Sequence, residues 1–164
     1  MFEFGTSHGR TTLQLALNSP EDARIYTLDL PEGTYATFYG RAFPEEDILR
    51  KLPVGSLFRD HVESNKIEQL RADSAVAHFD SLRGKIDLIF VDGDHSYDNV
   101  KNDSEKAFSM LSQRGAILWH DYGSRWSDVA RYIGELASEK RGFYHLAGTS
   151  LVICMPPIPP QTFK

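Results

Sequence analysis

Lys85-Ile86-Asp87-Leu88-Ile89-Phe90-Val91-Asp92-Gly93-Asp94-His95-Ser96-Tyr97 is the stretch on which the fold turns. Ile86, Leu88, Ile89, Phe90 and Val91 form a run with almost no polar alternation. They predict a strand, Lys85 to Val91, buried on both faces, as in a parallel sheet covered by helices. Beyond the polar cluster, Tyr97, Val100, Ala107, Phe108 and Leu111 recur at helical spacing and make one apolar stripe. Lys101, Asn102, Glu105 and Lys106 are left to water. A strand, a polar tip and an amphipathic helix in succession are the repeating unit of an α/β protein.

The same alternation extends both ways. Upstream, Met1 to Phe4 reads as a strand, and a helix follows from His8 or Gly9 to Asn18, with Leu13, Ala16 and Leu17 on one face and Pro20 closing it. Ile25 to Leu30 and Ile67 to Ala72 read as two further strands. Residues 31–66, with one helix expected at Glu45 to Lys51, are long for a connection in a compact domain, and such connections often carry function. Downstream, Gly115 marks the exit of the helix and Ala116 to Trp119 the next strand. Val129, Ala130, Ile133, Leu136 and Ala137 mark another helix, with Ser127 as its N-cap. Phe143 to Leu146 and Leu151 to Cys154 are separated only by Ala147-Gly148-Thr149-Ser150, too short for a crossover helix, so the sheet should end in an antiparallel hairpin. The expected fold is a doubly wound, mostly parallel sheet ending in that hairpin.

The chain has 164 residues, 41% hydrophobic and 25% charged, which fits one globular domain over 1–155 and excludes the collagen-like and disordered classes. Pro156, Pro157, Pro159 and Pro160 make residues 156–164 an extended tail. A net charge of -5 without a Lys/Arg run argues against a nucleic-acid partner. No apolar run approaches the roughly 18 to 20 residues of a membrane helix, and no leader pattern opens the chain, so a cytoplasmic location away from membranes is expected. Cys154 stands alone, which excludes an intramolecular disulfide and a cysteine zinc site.

Ligands of open parallel sheets bind beyond the carboxyl ends of the strands, so the strand tips hold the candidate residues. The first tip reads Glu3-Phe4-Gly5-Thr6-Ser7-His8-Gly9-Arg10, whose glycines let backbone approach a nucleoside ligand. Ser7 stands where a dinucleotide fingerprint has its second glycine, which weakens NAD without excluding it. Asp29, about 20 residues on at the second tip, can accept two hydrogen bonds from a ribose diol. Asp73 at the third tip reads either as an acceptor for an adenine amino group or as a helix cap. Asp92, Asp94 and His95 crowd the fourth tip, and His120 and Asp121 end the adjacent strand, so Asp92 and Asp121 are expected to converge. Hard oxygen ligands there suit Mg²⁺ or Ca²⁺, with His95 or His120 as a base; plain loop capping is the alternative.

Taken in order, Glu-Phe-Gly-Thr-Ser-His-Gly, Thr-Leu-Asp-Leu, Ala-Asp-Ser, Val-Asp-Gly-Asp-His-Ser-Tyr and Trp-His-Asp-Tyr resemble the class I S-adenosylmethionine-dependent methyltransferases. The likeness is to the bacterial branch with Val-Asp-Gly-x-His-x-Tyr and His-Asp-Tyr segments, often met near sugar and natural-product biosynthesis. The resemblance implies an α/β Rossmann-like fold and O-methylation of a small molecule or sugar hydroxyl. It also implies that Glu3, Gly5, Thr6, Ser7 and Gly9 wrap the methionine part of the cofactor, Asp29 holds the ribose, and Asp73 and Ser74 flank the adenine. Asp92 would then lie between cofactor and acceptor. In related enzymes of the class, acids at the positions of Asp92 and Asp121 bind a divalent cation such as Mg²⁺. The catechol-type enzymes add a lysine base, and since residues 92–97 contain no lysine, His95 or His120 would replace it. Tyr35, Phe38, Tyr39, Phe58 and Arg59 are expected to shape the acceptor pocket, with aromatic core packing an equal explanation for several of them, and the short segment before the first strand points to self-association or a minimal domain.

Three rival readings are a nicotinamide-dependent oxidoreductase, a non-catalytic module that keeps the fold, and a metal-dependent hydrolase built from Asp92, Asp94, His95, His120 and Asp121.

Overall fold

The computed structural model describes residues 1–31 and 53–155. The helix expected at Glu45 to Lys51, the aromatic residues Tyr35, Phe38 and Tyr39, and the proline tail lie outside the described residues. The chain divides into two compact units, Met1–His78 and Phe79–Lys164.

In the first unit, β1 (Phe2–Phe4), β2 (Ile25–Asp29) and β3 (Ile67–Arg71) run parallel in the order β3-β2-β1, with α1 (Arg10–Leu17) crossing between β1 and β2. All three residues of β1 are buried, Glu3 among them. That buried acid changes the face of α1. Thr12 and Ala16 point inward, while Leu17, expected in the core, is 46% exposed. The reason is chemical: the Thr12 hydroxyl donates to Glu3, and a buried carboxylate requires such donors. A short 3-10 turn, Val62–Lys66, leads into β3, and Lys66 Nζ donates to the carbonyls of Ala16 (3.1 Å) and Ser19 (3.3 Å). It thereby places a cation at the C-terminus of α1, where the helix dipole favours one.

The second unit holds β4 (Ile86–Val91), α2 (Tyr97–Met110), β5 (Leu111–Trp119), α3 (Ser127–Glu139), β6 (Phe143–His145) and β7 (Val152–Cys154), with strand order β4-β5-β7-β6. β4 and β5 are parallel, and β7 is antiparallel to both β5 and β6, so the terminal hairpin forms as expected. Along β4, Ile86, Ile89 and Val91 are buried, whereas Leu88 and Phe90 are half-buried, a less complete cover than the apolar run predicts.

Two local expectations fail. Gly115 does not end the helix but lies inside β5, where the register jumps: Ile86 pairs with Leu111, and Leu88 with Ala116. A Cβ at Gly115 would sit 2.9 Å from the Ile86 carbonyl oxygen, so the glycine permits this close approach of strands. Ser127 is the first helical residue of α3, and the capping position falls to Trp126, which makes no side-chain cap bond.

The core of this unit closes on Trp119, fully buried, whose indole N–H donates to Ser104 Oγ at 2.8 Å; Ser104 in turn donates to the Val100 carbonyl at 2.6 Å. Among the described residues no helix is long and apolar enough to cross a membrane. Parallel strands with crossover helices, ending in an antiparallel pair, make this an α/β Rossmann-like fold.

Candidate active site

The first unit builds a loop between β1 and α1 in which Gly5, Ser7 and Gly9 all take left-handed backbone, at φ 94°, 47° and 84°. A non-glycine residue at positive φ carries strain that its surroundings must support. The support is visible. Gly5 N and Thr6 N donate to the Leu28 carbonyl (2.9 and 3.2 Å), Gly9 N to the Thr6 carbonyl (2.7 Å), and Ser7 N to Asp29 Oδ2 (2.7 Å). Asp29 Oδ1 accepts from Leu30 N at 2.8 Å. Burial pushes the Asp29 carboxyl up from its ordinary range, opposed by these amides and by the charge of Arg71. The acid expected to face a ribose thus also fastens the loop to the tip of β2.

Glu3 is buried, as are Thr6 and Gly9 among the residues assigned to cofactor binding. Its carboxylate is 1% exposed; Thr12 and Thr27 both donate to Oε2, the latter from 2.6 Å, and the Thr6 and Thr27 hydroxyls lie 2.8 Å apart. Since Thr27 spends its proton on Glu3, Thr6 is the donor to Thr27. The order of donation, Thr6 to Thr27 to Glu3, joins the loop to both strands beneath it. At the tip of β3, half-buried Asp73 uses Oδ1 to accept from Ala75 N (2.8 Å), and its carbonyl accepts from Val76 N and Ala77 N. Asp73 thus closes a turn and not a helix, since residues 74–76 are turn and no helix starts there. Ser74, beside it, is half-buried.

In the second unit the tips of β4 and β5 bring Asp92, His95, His120 and Asp121 together. His95 Nε2 lies 2.6 Å from Asp121 Oδ2, and the ring stacks on Trp126 with centroids 4.0 Å apart. His120 Nδ1 stands 3.2 Å from Asp92 Oδ1 and 3.1 Å from Asp121 Oδ2. Both contacts are ion pairs of the imidazole with the carboxylates. Its Nε2 is 3.4 Å from Ser150 Oγ. Asp121 and, after it, Asp92 hold the His120 imidazole up to about 10 against the effect of burial. Burial would raise the Asp121 carboxyl, but His120 and His95 outweigh it and hold that group below the usual carboxylate range. These groups line a small open pocket with Val100, Trp119 and Val129.

One ligand atom from each of Asp92, His95 and Asp121 lies within 4.8 Å of the others. Two carboxylates and an imidazole at that spacing fit a divalent cation with open positions, although the His120 ring already offers a positive charge to both acids.

Sequence reasoning missed Trp126, Thr12 and Thr27. Of the two readings open for Phe58, an acceptor pocket or core packing, the structure fits the second: it is 6% exposed and packs against Gly9. For the threonines a signal existed, since a glutamate inside Phe2-Glu3-Phe4 demands buried donors.

The first unit thus carries a left-handed loop held to an acid on the next strand, and the second an acid-imidazole pocket at two strand tips. A family model described as "Methyltransferase domain" matches residues 2–122, and the chain belongs to that family. Two solved structures are similar in fold. The O-methyltransferase from Bacillus cereus in complex with SAH is 19% identical, with a TM-score of 0.61 over 94% of this chain and 72% of that one. The apo TDP-rhamnose 3'-O-methyltransferase of calicheamicin biosynthesis is 14% identical, with a TM-score of 0.60 over 94% of this chain and 70% of that one. An uncharacterised protein of Acanthamoeba polyphaga mimivirus is 41% identical over 49 residues, 29% of this chain, and the match spans only 22% of that protein.

Proposed function

We propose that the protein is an S-adenosylmethionine-dependent O-methyltransferase acting on a small molecule, a sugar hydroxyl or a natural-product intermediate. The observation that carries the reading is the Gly5-to-Gly9 loop, tied by the Ser7 amide to Asp29, in a chain of the methyltransferase-domain family. In this reading Gly5, Thr6, Ser7 and Gly9 border the methionine moiety, and Asp29, at the tip of β2, receives the ribose. Asp73 and Ser74 border the adenine, and Glu3 acts from beneath the loop. S-adenosylmethionine, when bound, supplies a methyl group already activated for transfer to oxygen.

The second unit's residues then handle the acceptor proton. Both nitrogens of His120 face partners, Nδ1 the two carboxylates and Nε2 Ser150, and its imidazole is held protonated. His95 donates Nε2–H to Asp121, leaving Nδ1 to accept the hydroxyl proton. In this reading His95 is the base, Asp121 orients it, and the His120 cation and Asp92 set the field at the acceptor oxygen.

A second reading draws on the spacing of Asp92, His95 and Asp121. A divalent cation such as Mg²⁺ held there would act as a Lewis acid and lower the acceptor hydroxyl's pKa. Excess EDTA separates the two: turnover persists with His95 as the base and stops, with rescue by added cation, if the ion is required.

Titration calorimetry tests the cofactor assignment. S-adenosylhomocysteine should bind and NAD should not; the reverse would favour the oxidoreductase.

A further inference from the structure

We infer that the segment 53–58 is a strap that holds the glycine loop in its ligand-binding shape, with Phe58 as a positioning residue acting through Gly9; this rests on the loop being the cofactor site. Four observations within the first unit support it. Gly55 N donates to the Ser7 carbonyl at 2.9 Å and Leu57 N to the His8 carbonyl at 3.0 Å, so the strap bonds the backbone of the strained Ser7 and its neighbour. The Phe58 ring is wedged between two glycines: a Cβ built on Gly9 would meet ring carbons at 2.4 and 2.6 Å, and one on Gly55 would meet the ring tip at 2.6 Å. Both glycines are left-handed, at φ 84° and 75°, and the strap's own turn is closed by Phe58 N donating to the Gly55 carbonyl at 3.3 Å. Arg71 Nη2 (3.2 Å) and Arg59 Nη2 (3.3 Å) both donate to the Val54 carbonyl, and Arg71 is the register partner of Asp29.

Gly9 therefore lacks a side chain to make room for Phe58 as well as to form the turn. The path from strap to carboxylate runs from Phe58 to Gly9, whose amide bonds the Thr6 carbonyl, and through the next residue's amide, Ser7 N, to the acid assigned to the ribose, Asp29. Truncating Phe58 removes the wedge while leaving every group assigned to touch the ligand in place. Its expected signature is lost affinity from a loop that must be reordered on binding.

The test is calorimetric titration of the full chain with S-adenosylhomocysteine, comparing wild type, Phe58→Ala and Phe58→Leu. Ile133→Ala, a core truncation in the second unit, controls for lost stability alone. Phe58→Ala should weaken binding about tenfold or more and Phe58→Leu by about threefold or less, while Ile133→Ala lowers the melting temperature without moving Kd. If Phe58→Ala does not fold, Phe58→Val takes its place and should fall between wild type and that tenfold loss. Folded Phe58 variants that bind as tightly as wild type, or an Ile133→Ala that weakens binding equally, overturn the strap's role. Absence of binding by wild type overturns the cofactor reading itself, and the two failures are distinct.

Discussion

His95 Nε2 meets Asp121 Oδ2 at 2.6 Å, and Asp121 makes this contact from left-handed backbone, at φ 59°. Such a conformation costs a non-glycine residue on the order of 1 kcal/mol, so something must hold it. Three contacts do: His95 and His120 on the carboxylate, and the next residue's amide, Tyr122 N, on the Ser150 carbonyl at 2.9 Å. The shape of the β5 tip and the orientation of the proposed base are thus one arrangement.

Asp121→Asn keeps the shape and removes the charge. Asparagine is tolerated at positive φ, so the fold should survive, but the imidazole loses the partner that fixes its tautomer. S-adenosylhomocysteine release in the presence of an acceptor should drop by about 10²-fold or more, whereas cofactor affinity stays near wild type. Turnover assays paired with calorimetry check this; unchanged turnover would remove Asp121 and His95 from the mechanism.

The imidazole of His120, held up to about 10, makes stability depend on pH. A group whose folded pKa exceeds its unfolded value of about 6.5 contributes fully below pH 6.5, and the contribution fades as pH rises through about 10. Asp121, with its carboxyl held low, contributes above about pH 4 and loses that contribution as acid protonates it in the folded state. The ion pair therefore stabilises most between about pH 4 and 6.5. His120 is 40% exposed by side chain, so solvent screening keeps the effect modest. Melting temperature measured from about pH 6 to 10 should fall more steeply for wild type than for His120→Gln. Parallel curves, or an NMR titration of His120 near 6.5, would contradict it.

The legible parts of this molecule are those written in contiguous residues. The run from Ile86 to Val91 announces a strand, the four residues between Leu146 and Leu151 announce a hairpin, and the acids at 29, 92 and 121 each follow an apolar run. What escaped reading depends on residues distant in sequence. Phe58 explains the bare Cα of Gly9 only once the segment 53–58 lies over the loop, and Trp126 matters because it stacks on His95. Thr12 reads as an interruption of an apolar face until Glu3 is seen beneath it. Gly115 reads as a helix terminator because glycine commonly is one, yet here a strand-to-strand contact decides.

The Glu3 network should behave as a unit. Thr27→Val removes the hydroxyl that donates to Glu3 and accepts from Thr6, leaving a buried carboxylate short of one donor at a cost of about 1–3 kcal/mol. In Glu3→Leu/Thr27→Val the orphaned polar group is gone as well, so the double variant should be more stable than the sum of the two single losses implies. Urea unfolding of the three variants measures this, and strict additivity would show that the threonines and Glu3 do not depend on one another.

Gly115→Ala probes the junction of β4 and β5. The added methyl would lie 2.5 Å from Leu111 Cδ1 and 2.9 Å from the Ile86 carbonyl oxygen. The leucine tip can rotate away, but the carbonyl belongs to the backbone where the register jumps between Ile86 and Leu88, so relief requires the strands to part. Overpacking of this kind typically costs about 1–3 kcal/mol, read as a lower urea midpoint. Because β4 and β5 end at Val91 and Trp119, directly before Asp92 and His120, the strain also reaches the pocket: the His120 resonance should shift in Gly115→Ala. A variant as stable as wild type, with that resonance unmoved, would mean that the β4–β5 spacing at Gly115 is not fixed by the glycine.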